Sequence, residues 1–213
     1  MRTIKIIALA ATVIVAGLTI ASSATIVGTP HDFSGRLWGT TETCKFCHTP
    51  HFAQSVSGAP LWNHQTASGF TYTMYSSQTF KGQNQTQPGA ASLLCLSCHD
   101  GTVAIDSYAN AGAMRSGANF ISTTNKIGGG AQHSLTTDHP ISFTYDSALA
   151  TADGALVSPA ATNYVDNASA TGIPLFGGKM ECASCHEPHN DTYGFFLRVN
   201  NASSALCTKC HLK

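Results

Sequence analysis

The chain has 213 residues, with 11 basic and 11 acidic side chains and a formal net charge of zero. Only 10% of the residues are charged. Neither a polybasic run nor an acidic tail is present, which argues against a nucleic-acid-binding surface and against a solvating segment. The length allows one ordinary domain or two small ones.

The first 24 residues have the composition of a secretory signal peptide. Arg2 and Lys5 precede an apolar run over residues 6–20, and the small residues 21–24 offer a cleavage site. We therefore predict cleavage after Ala24 and export of the remaining chain as one domain. The alternative is an uncleaved membrane anchor, but the apolar run is short for a membrane span.

All eight cysteines fall into four pairs, and a histidine directly follows each pair in the motifs CKFCH, CLSCH, CASCH and CTKCH. This is the attachment pattern of c-type heme. The two thiols bond to the vinyl groups at one edge of the porphyrin, and the next imidazole then binds the iron. We therefore predict four heme c groups. The predicted attachment sites are Cys44, Cys47, Cys95, Cys98, Cys182, Cys185, Cys207 and Cys210, and the predicted iron ligands are His48, His99, His186 and His211.

Zinc sites and disulfides are the alternative uses of paired cysteines. An oxidising export route disfavours zinc-thiolate clusters, and zinc does not require a histidine after every pair. Four disulfides would suit a secreted protein. However, cysteines only three positions apart rarely link distant parts of a fold, and the histidines would remain unexplained.

Each heme iron has two axial positions, so four irons need ligands beyond the motif histidines. We call the motif histidines proximal and the second ligands distal. The chain has ten histidines, and the six outside the proximal set favour histidine on both faces of every iron. Methionine would raise the reduction potential, and Met74, Met114 and Met180 are expected to pack against porphyrin instead. The predicted distal candidates are His31, His51, His64, His139 and His189, and His133 is the least favoured.

Two distal candidates share a motif with a proximal histidine. His51 follows His48 by three residues in CHTPH, and His189 follows His186 in CHEPH. At this spacing both imidazoles lie on one side of a helical turn, so they cannot bind one iron from opposite faces. Each either serves a neighbouring heme, in this chain or in another, or is a surface histidine.

The sequence has an internal echo. The first and third motifs share the pattern CxxCHxPH, whereas a leucine precedes the second and fourth motifs. This order predicts a duplicated two-heme unit over residues 31–105 and 139–213, which we call the first half and the second half. Residues 55–60 and 82–92 read as loops, and residues 106–138 and 146–173 lack regular periodicity. Phe143, Thr144 and Tyr145 fit a short strand. The predicted fold is mostly irregular, with short helices wrapped around four hemes and little β structure.

The segments HDFSG, CKFCHTPH, APLWNH, LCLSCHDGTVA, DHPISF, MECASCHEPH and LCTKCH resemble the doubled-CxxCH multiheme cytochromes, and most closely the OmcE-type extracellular cytochromes of metal-reducing bacteria. The resemblance covers nearly all of the chain after the leader. It implies bis-histidine hemes in a filament with a continuous heme chain. It also implies that one iron takes its distal ligand from the neighbouring subunit. The matching donor position is His51, which leaves His31, His64, His139 and His189 for three irons.

Three functions fit these patterns. The first is extracellular electron transfer by a polymeric filament that meets redox partner cytochromes or extracellular acceptors. The second is a soluble periplasmic or extracellular tetraheme shuttle. The third is a multiheme reductase, which needs an open iron. Because iron closed by two histidines suits electron transfer and not substrate binding, we predict an electron-transfer protein with no catalytic residues.

Overall fold

The computed structural model describes residues 25–67, 69–82, 87–110, 113–114, 116–159, 163–165 and 172–212. The predicted leader lies outside this part. No helix in these ranges is long and apolar enough to cross a membrane. The described α-helices are α1 (Ala90–His99), α2 (Ser147–Asp153) and α3 (Cys182–Cys185). The described strands are β1 (Gln54–Val56), β2 (Ala59–Trp62), β3 (Ala109–Asn110), β4 (Ala113–Met114), β5 (Phe143–Thr144), β6 (Tyr164–Val165), β7 (Ile173–Pro174) and β8 (Lys179–Met180).

Short helices carry all four cysteine motifs. The second motif ends α1, and the third begins α3. The first and fourth motifs overlap the 3₁₀ helices Thr43–Phe46 and Cys207–Lys209. One helical turn places two cysteines three positions apart on the same side of the backbone. Both thiols of each motif can therefore face one group.

The described strands form antiparallel pairs: β1 with β2, β3 with β4, β5 with β8, and β6 with β7. The predicted strand at Phe143 is confirmed, since it pairs with Met180. The loop predicted over residues 55–60 is wrong, because β1 and β2 form a hairpin there. Gly58 has φ +82° in its turn, a conformation that glycine adopts at little cost.

Two further sequence predictions differ from the structure. The loop predicted over residues 82–92 ends early, because α1 already begins at Ala90. The segment 146–173, which lacks periodicity, contains α2. Its first turn is capped by the Asp146 carboxylate, which accepts a hydrogen bond from the Leu149 N–H at 2.8 Å. A capped helix of seven residues, with two buried side chains, is too short to produce a visible period.

Two apolar clusters lie against the cysteine motifs. The larger contains Phe143, Val165, Ile173 and Met180, and Cys185 and Cys210 pack against it. The smaller contains Tyr72, Leu96 and Leu135 and packs on α1. In the described part of the chain, these apolar side chains lie in two clusters, each beside a cysteine motif. The wrapping of the chain around hemes remains a prediction.

Candidate functional site

Three of the proximal histidines each face a second histidine. The ring centroids lie 6.0 Å apart for His48 and His189, 6.2 Å for His99 and His31, and 6.5 Å for His211 and His139. A metal–nitrogen bond of about 2 Å on each side, plus about 1.2 Å from nitrogen to ring centre, separates two opposite ligand rings by about 6 Å. All three pairs therefore have the spacing of two imidazoles on one iron.

Backbone carbonyls orient four of the predicted ligand rings through Nδ1. With Nδ1 as the donor, the opposite nitrogen Nε2 is left for a metal, as in metal-bound histidines generally. The acceptors are Pro60 O for His48 (2.9 Å), Asn125 O for His99 (3.1 Å), Phe195 O for His186 (2.8 Å) and Pro140 O for His139 (2.9 Å).

A carboxylate orients His189 in the same way. Its Nδ1 lies 3.0 Å from Oε1 of Glu187, whose Oε2 accepts an ion-paired hydrogen bond from Arg198 at 2.9 Å. The sequence suggests no role for Arg198, because it is twelve residues away from its proximal histidine. A histidine held by a carboxylate is a stronger metal ligand than a free one.

Burial favours the uncharged form of two of the paired histidines, His31 and His139. Burial, helped by the neighbouring His99, lowers the pKa of His31 to about 4. Burial also lowers the pKa of His139, with His211 contributing. A metal binds the neutral form of imidazole. These rings are therefore in the protonation state that an iron ligand requires.

The fourth proximal histidine has no such partner. His186 is exposed, and no second histidine of the described residues faces it. His51 is also exposed and forms no ring contact with another described side chain. Each neighbours a strongly exposed phenylalanine: Phe52, 73% exposed, follows His51, and Phe195, 85% exposed, holds the His186 ring.

His64 and His133 do not face a proximal histidine. His64 is 2% exposed, and both ring nitrogens lie near backbone carbonyls, at 2.7 Å from Gln65 O and 3.0 Å from Ala104 O. Burial lowers its pKa. The His133 ring stacks on Phe70 with centroids 4.2 Å apart, and its buried Nε2 has no hydrogen-bond partner. Met74 and Met180 pack in the two apolar clusters, and the side chain of Met114 lies outside the described part.

The eight cysteines are all free thiols. Three contacts connect the motifs in chain order. The pKa of Cys98 is raised by burial and by the nearby Cys47, and that of Cys185 is raised by burial, by Cys182 and by Cys207, to about 11. Between them, the Cys182 N–H of the third motif donates a hydrogen bond at 3.0 Å to Ser92 Oγ of α1, the helix that carries the second motif. The motifs are therefore neighbours in the order first, second, third, fourth.

The CHxPH segments of the two halves repeat the same local structure. Thr49 N–H donates to Leu61 O at 2.9 Å, as Glu187 N–H does to Phe196 O at 2.7 Å. Both acceptor residues have φ +56°. Asn63 N–H donates to Cys47 O at 2.8 Å, as Arg198 N–H does to Cys185 O at 2.9 Å. Leu61 and Phe196 are thus equivalent positions, which the sequence does not reveal because their distances from the motifs differ by three residues.

These residues fit heme c. A cavity of about 500 Å³ lies beside the first motif and is lined by Cys44, His48 and the apolar side chains of Phe52 and Leu61. Free thiols, neutral imidazoles at ligand spacing and apolar walls are the groups that covalent attachment, iron ligation and porphyrin packing require.

The comparison with protein families agrees with this chemistry. A family model described as the doubled CXXCH motif matches residues 174–213, which contain the third and fourth motifs. The match indicates a multiheme c-type cytochrome. It also indicates covalently bound heme c and electron transfer as the activity. A comparison with curated proteins finds no match for the chain.

Proposed function

We propose that this multiheme cytochrome transfers electrons outside the cell through four bis-histidine hemes, as the subunit of a conducting filament. The observation that supports this most is the set of three histidine pairs, His48–His189, His99–His31 and His211–His139, at ligand spacing. Each bound heme would supply a one-electron iron couple. With both axial positions closed, these histidines leave no site for a substrate, which favours electron transfer over a reductase.

The unpaired His186 supports polymerisation. Its ring is oriented by Phe195 O, yet no described histidine of the same chain faces it. His51 is the complementary case, an exposed imidazole that its own proximal neighbour cannot use. We assign His51 of a second subunit as the distal ligand of the His186 iron. His64 receives no ligand role, because no proximal histidine faces it; its neutral ring can donate to only one of the two carbonyls beside it, Gln65 O or Ala104 O.

The proximity of the motifs supports conduction along the chain. A cysteine of each motif is close enough to influence the pKa of a cysteine in the next, Cys47 with Cys98, Cys95 with Cys182, and Cys185 with Cys207. Because these sulfurs bond to porphyrin edges, the hemes would form a row in sequence order with neighbouring edges close together. A ligand bond from one subunit to the next would extend this row, since a head-to-tail contact that does not close gives a filament.

The experiment is His51→Ala in protein matured with heme and exported. The variant should retain four hemes and fail to polymerise, whereas Gln65→Ala, at an exposed position of the same half, should form filaments like the natural chain. Reduced His51→Ala should bind carbon monoxide at one heme in four, because the His186 iron has lost its second ligand. Electron microscopy of the secreted material and carbon monoxide difference spectra measure both effects.

Two results would contradict the proposal. Normal filaments from His51→Ala would remove His51 as the donor. Small uniform particles from the natural chain, with all four irons closed to carbon monoxide, would identify a soluble shuttle instead.

A further inference from the structure

The contact between the two halves of one chain has a pattern that the outer surfaces of the chain can repeat. The first half presents His48 to His189 of the second half, with ring centroids 6.0 Å apart. In the first half, His31 also stacks on Phe196 of the second, with centroids 4.2 Å apart and planes 16° apart. Cys95 and Cys182 also lie near each other, on helices that are joined by the hydrogen bond from the Cys182 N–H to Ser92 Oγ at 3.0 Å.

Each of these six residues has an equivalent in the opposite half. The motif order makes His186 equivalent to His48, His139 to His31 and Cys207 to Cys95. On the other side of the contact, His51 is equivalent to His189 and Cys44 to Cys182. Leu61 is equivalent to Phe196 by its hydrogen bond and by its φ of +56°. Replacing each member by its equivalent gives the three pairs His186 with His51, His139 with Leu61, and Cys207 with Cys44.

None of the three replacement pairs forms within one chain, and all six of their members are exposed. Cys44 and Cys207 are the two exposed cysteines of the eight. Leu61 is 52% exposed, whereas its equivalent Phe196 is 7% exposed because His31 covers it. The equivalents of the residues that form the contact inside the chain are thus all exposed.

We propose that a second copy of this chain docks through the same contact that joins the two halves. The second half of one subunit then contacts the first half of the next subunit. The geometry of this contact is the same as that between the first and second halves of one chain. His139 packs on Leu61 of the next subunit, and the Cys207 and Cys44 motifs lie side by side. The filament is, in this view, a continuous row of two-heme halves, with the chain joining them in pairs.

This inference rests on the proposed polymerisation and adds the surface through which it occurs. Leu61 provides the test, because it is not a predicted iron ligand and lies at the centre of the contact. In Leu61→Asp a carboxylate would be buried against the His139 segment without a cation to pair it, which is costly. We expect filament assembly to fall at least tenfold, measured as the pelleted fraction at fixed protein concentration.

Leu37→Asp is the matched control. Leu37 is an exposed leucine of the same half, at 80%, and its φ of +57° equals that of Leu61 within a degree. The two substitutions therefore have the same backbone cost and the same change of charge. Leu37→Asp should leave assembly unchanged. Equal assembly of both variants with the natural chain would overturn the proposed surface.

Leu61 also lines the cavity beside Cys44, so heme content is measured on the same samples. A second experiment tests the proposed surface without any substitution. The measurement is a helical reconstruction of natural filaments. In it, the rotation and translation that relate one subunit's second half to the first half of the next subunit should match those that relate the first half to the second half within one chain. Filaments in which His139 faces another surface would overturn this inference alone. Absence of filaments from the natural chain would overturn the proposed function as well.

Discussion

The two halves hold their CHxPH histidines by the same hydrogen bonds but differ in what covers them. His48 and His186 share three local features. Each ring has a backbone carbonyl acceptor, each lies near a residue with left-handed backbone, and each forms an antiparallel bridge, with Trp62 and Leu197 respectively. Phe196 is nevertheless buried and Leu61 exposed. Local backbone geometry therefore places the ligand, whereas burial depends on which half lies next to it. An exposed apolar residue in one half marks the place where its equivalent has a neighbour.

The halves also differ in the carboxylate beside their first motif. In the second half Glu181 is 3% exposed and accepts hydrogen bonds from the hydroxyls of Ser92 and Ser142 and from the Ser184 N–H. These partners come from α1, from the segment after His139 and from α3. In the first half Thr43 occupies the equivalent position. A single buried carboxylate thus connects α1 of the first half with two ligand-bearing segments of the second half.

The largest expected difference comes from truncating the two equivalent apolar residues. In isolated subunits, kept apart by His51→Ala, Phe196→Ala should lower the free energy of unfolding by about 3 kcal/mol, because it removes a buried ring and its stack on His31. Leu61→Ala should cost less, about 1 kcal/mol, because Leu61 is 52% exposed and its covered part lines the cavity beside Cys44. Chemical denaturation followed by heme absorbance measures both values.

Both positions have φ +56°, so the backbone cost of alanine cancels in this comparison. Equal losses for the two variants would mean that the stack on His31 does not cover Phe196 in solution. In the filament, where the next subunit would cover Leu61, Leu61→Ala should lower the free energy of unfolding more than it does in the isolated subunit.

Much of the site could be predicted from the sequence, because covalent heme attachment requires a fixed spacing of residues. The cysteines, the proximal histidines and the short helices that carry them follow from that spacing. The distal partners could not be predicted, since His31 and His99 are 68 positions apart and only the fold brings them together. The sequence predicts His64 as a distal candidate, and the structure shows it buried with no proximal histidine facing its ring. Its apolar setting in PLWNH suggested a held ligand, but the rings of such buried histidines are equally well held by carbonyls.

Glu181→Gln tests the carboxylate that distinguishes the second half. The amide group of Gln would turn one acceptor into a donor facing the Ser92 and Ser142 hydroxyls, so we expect a loss of about 1–3 kcal/mol in the free energy of unfolding. Removing a buried negative charge next to Cys182 should also raise the reduction potential of the neighbouring hemes, since nearby charge is one of the determinants of heme potential.

Asp153→Asn makes the same charge change at the exposed end of α2 and is the matched control. Its effect on stability and potential should be small and should decrease with added salt, because salt screens exposed charges more than buried ones. A Glu181→Gln effect that salt abolishes would contradict the buried charge.

The smallest effect concerns α2, which lies in a segment that the first half lacks: 43 positions separate His139 from Cys182, but 13 separate His31 from Cys44. The Asp146 carboxylate caps α2, and Leu149 of this helix packs in the larger apolar cluster. Asp146→Ala should cost about 1 kcal/mol in the free energy of unfolding, whereas Asp146→Asn, which preserves the cap, should cost little. Because no contact proposed between halves or subunits involves α2, both variants should polymerise like the natural chain. Loss of filaments from Asp146→Ala alone would mean that the inserted segment, and not only the repeated contact, takes part in assembly.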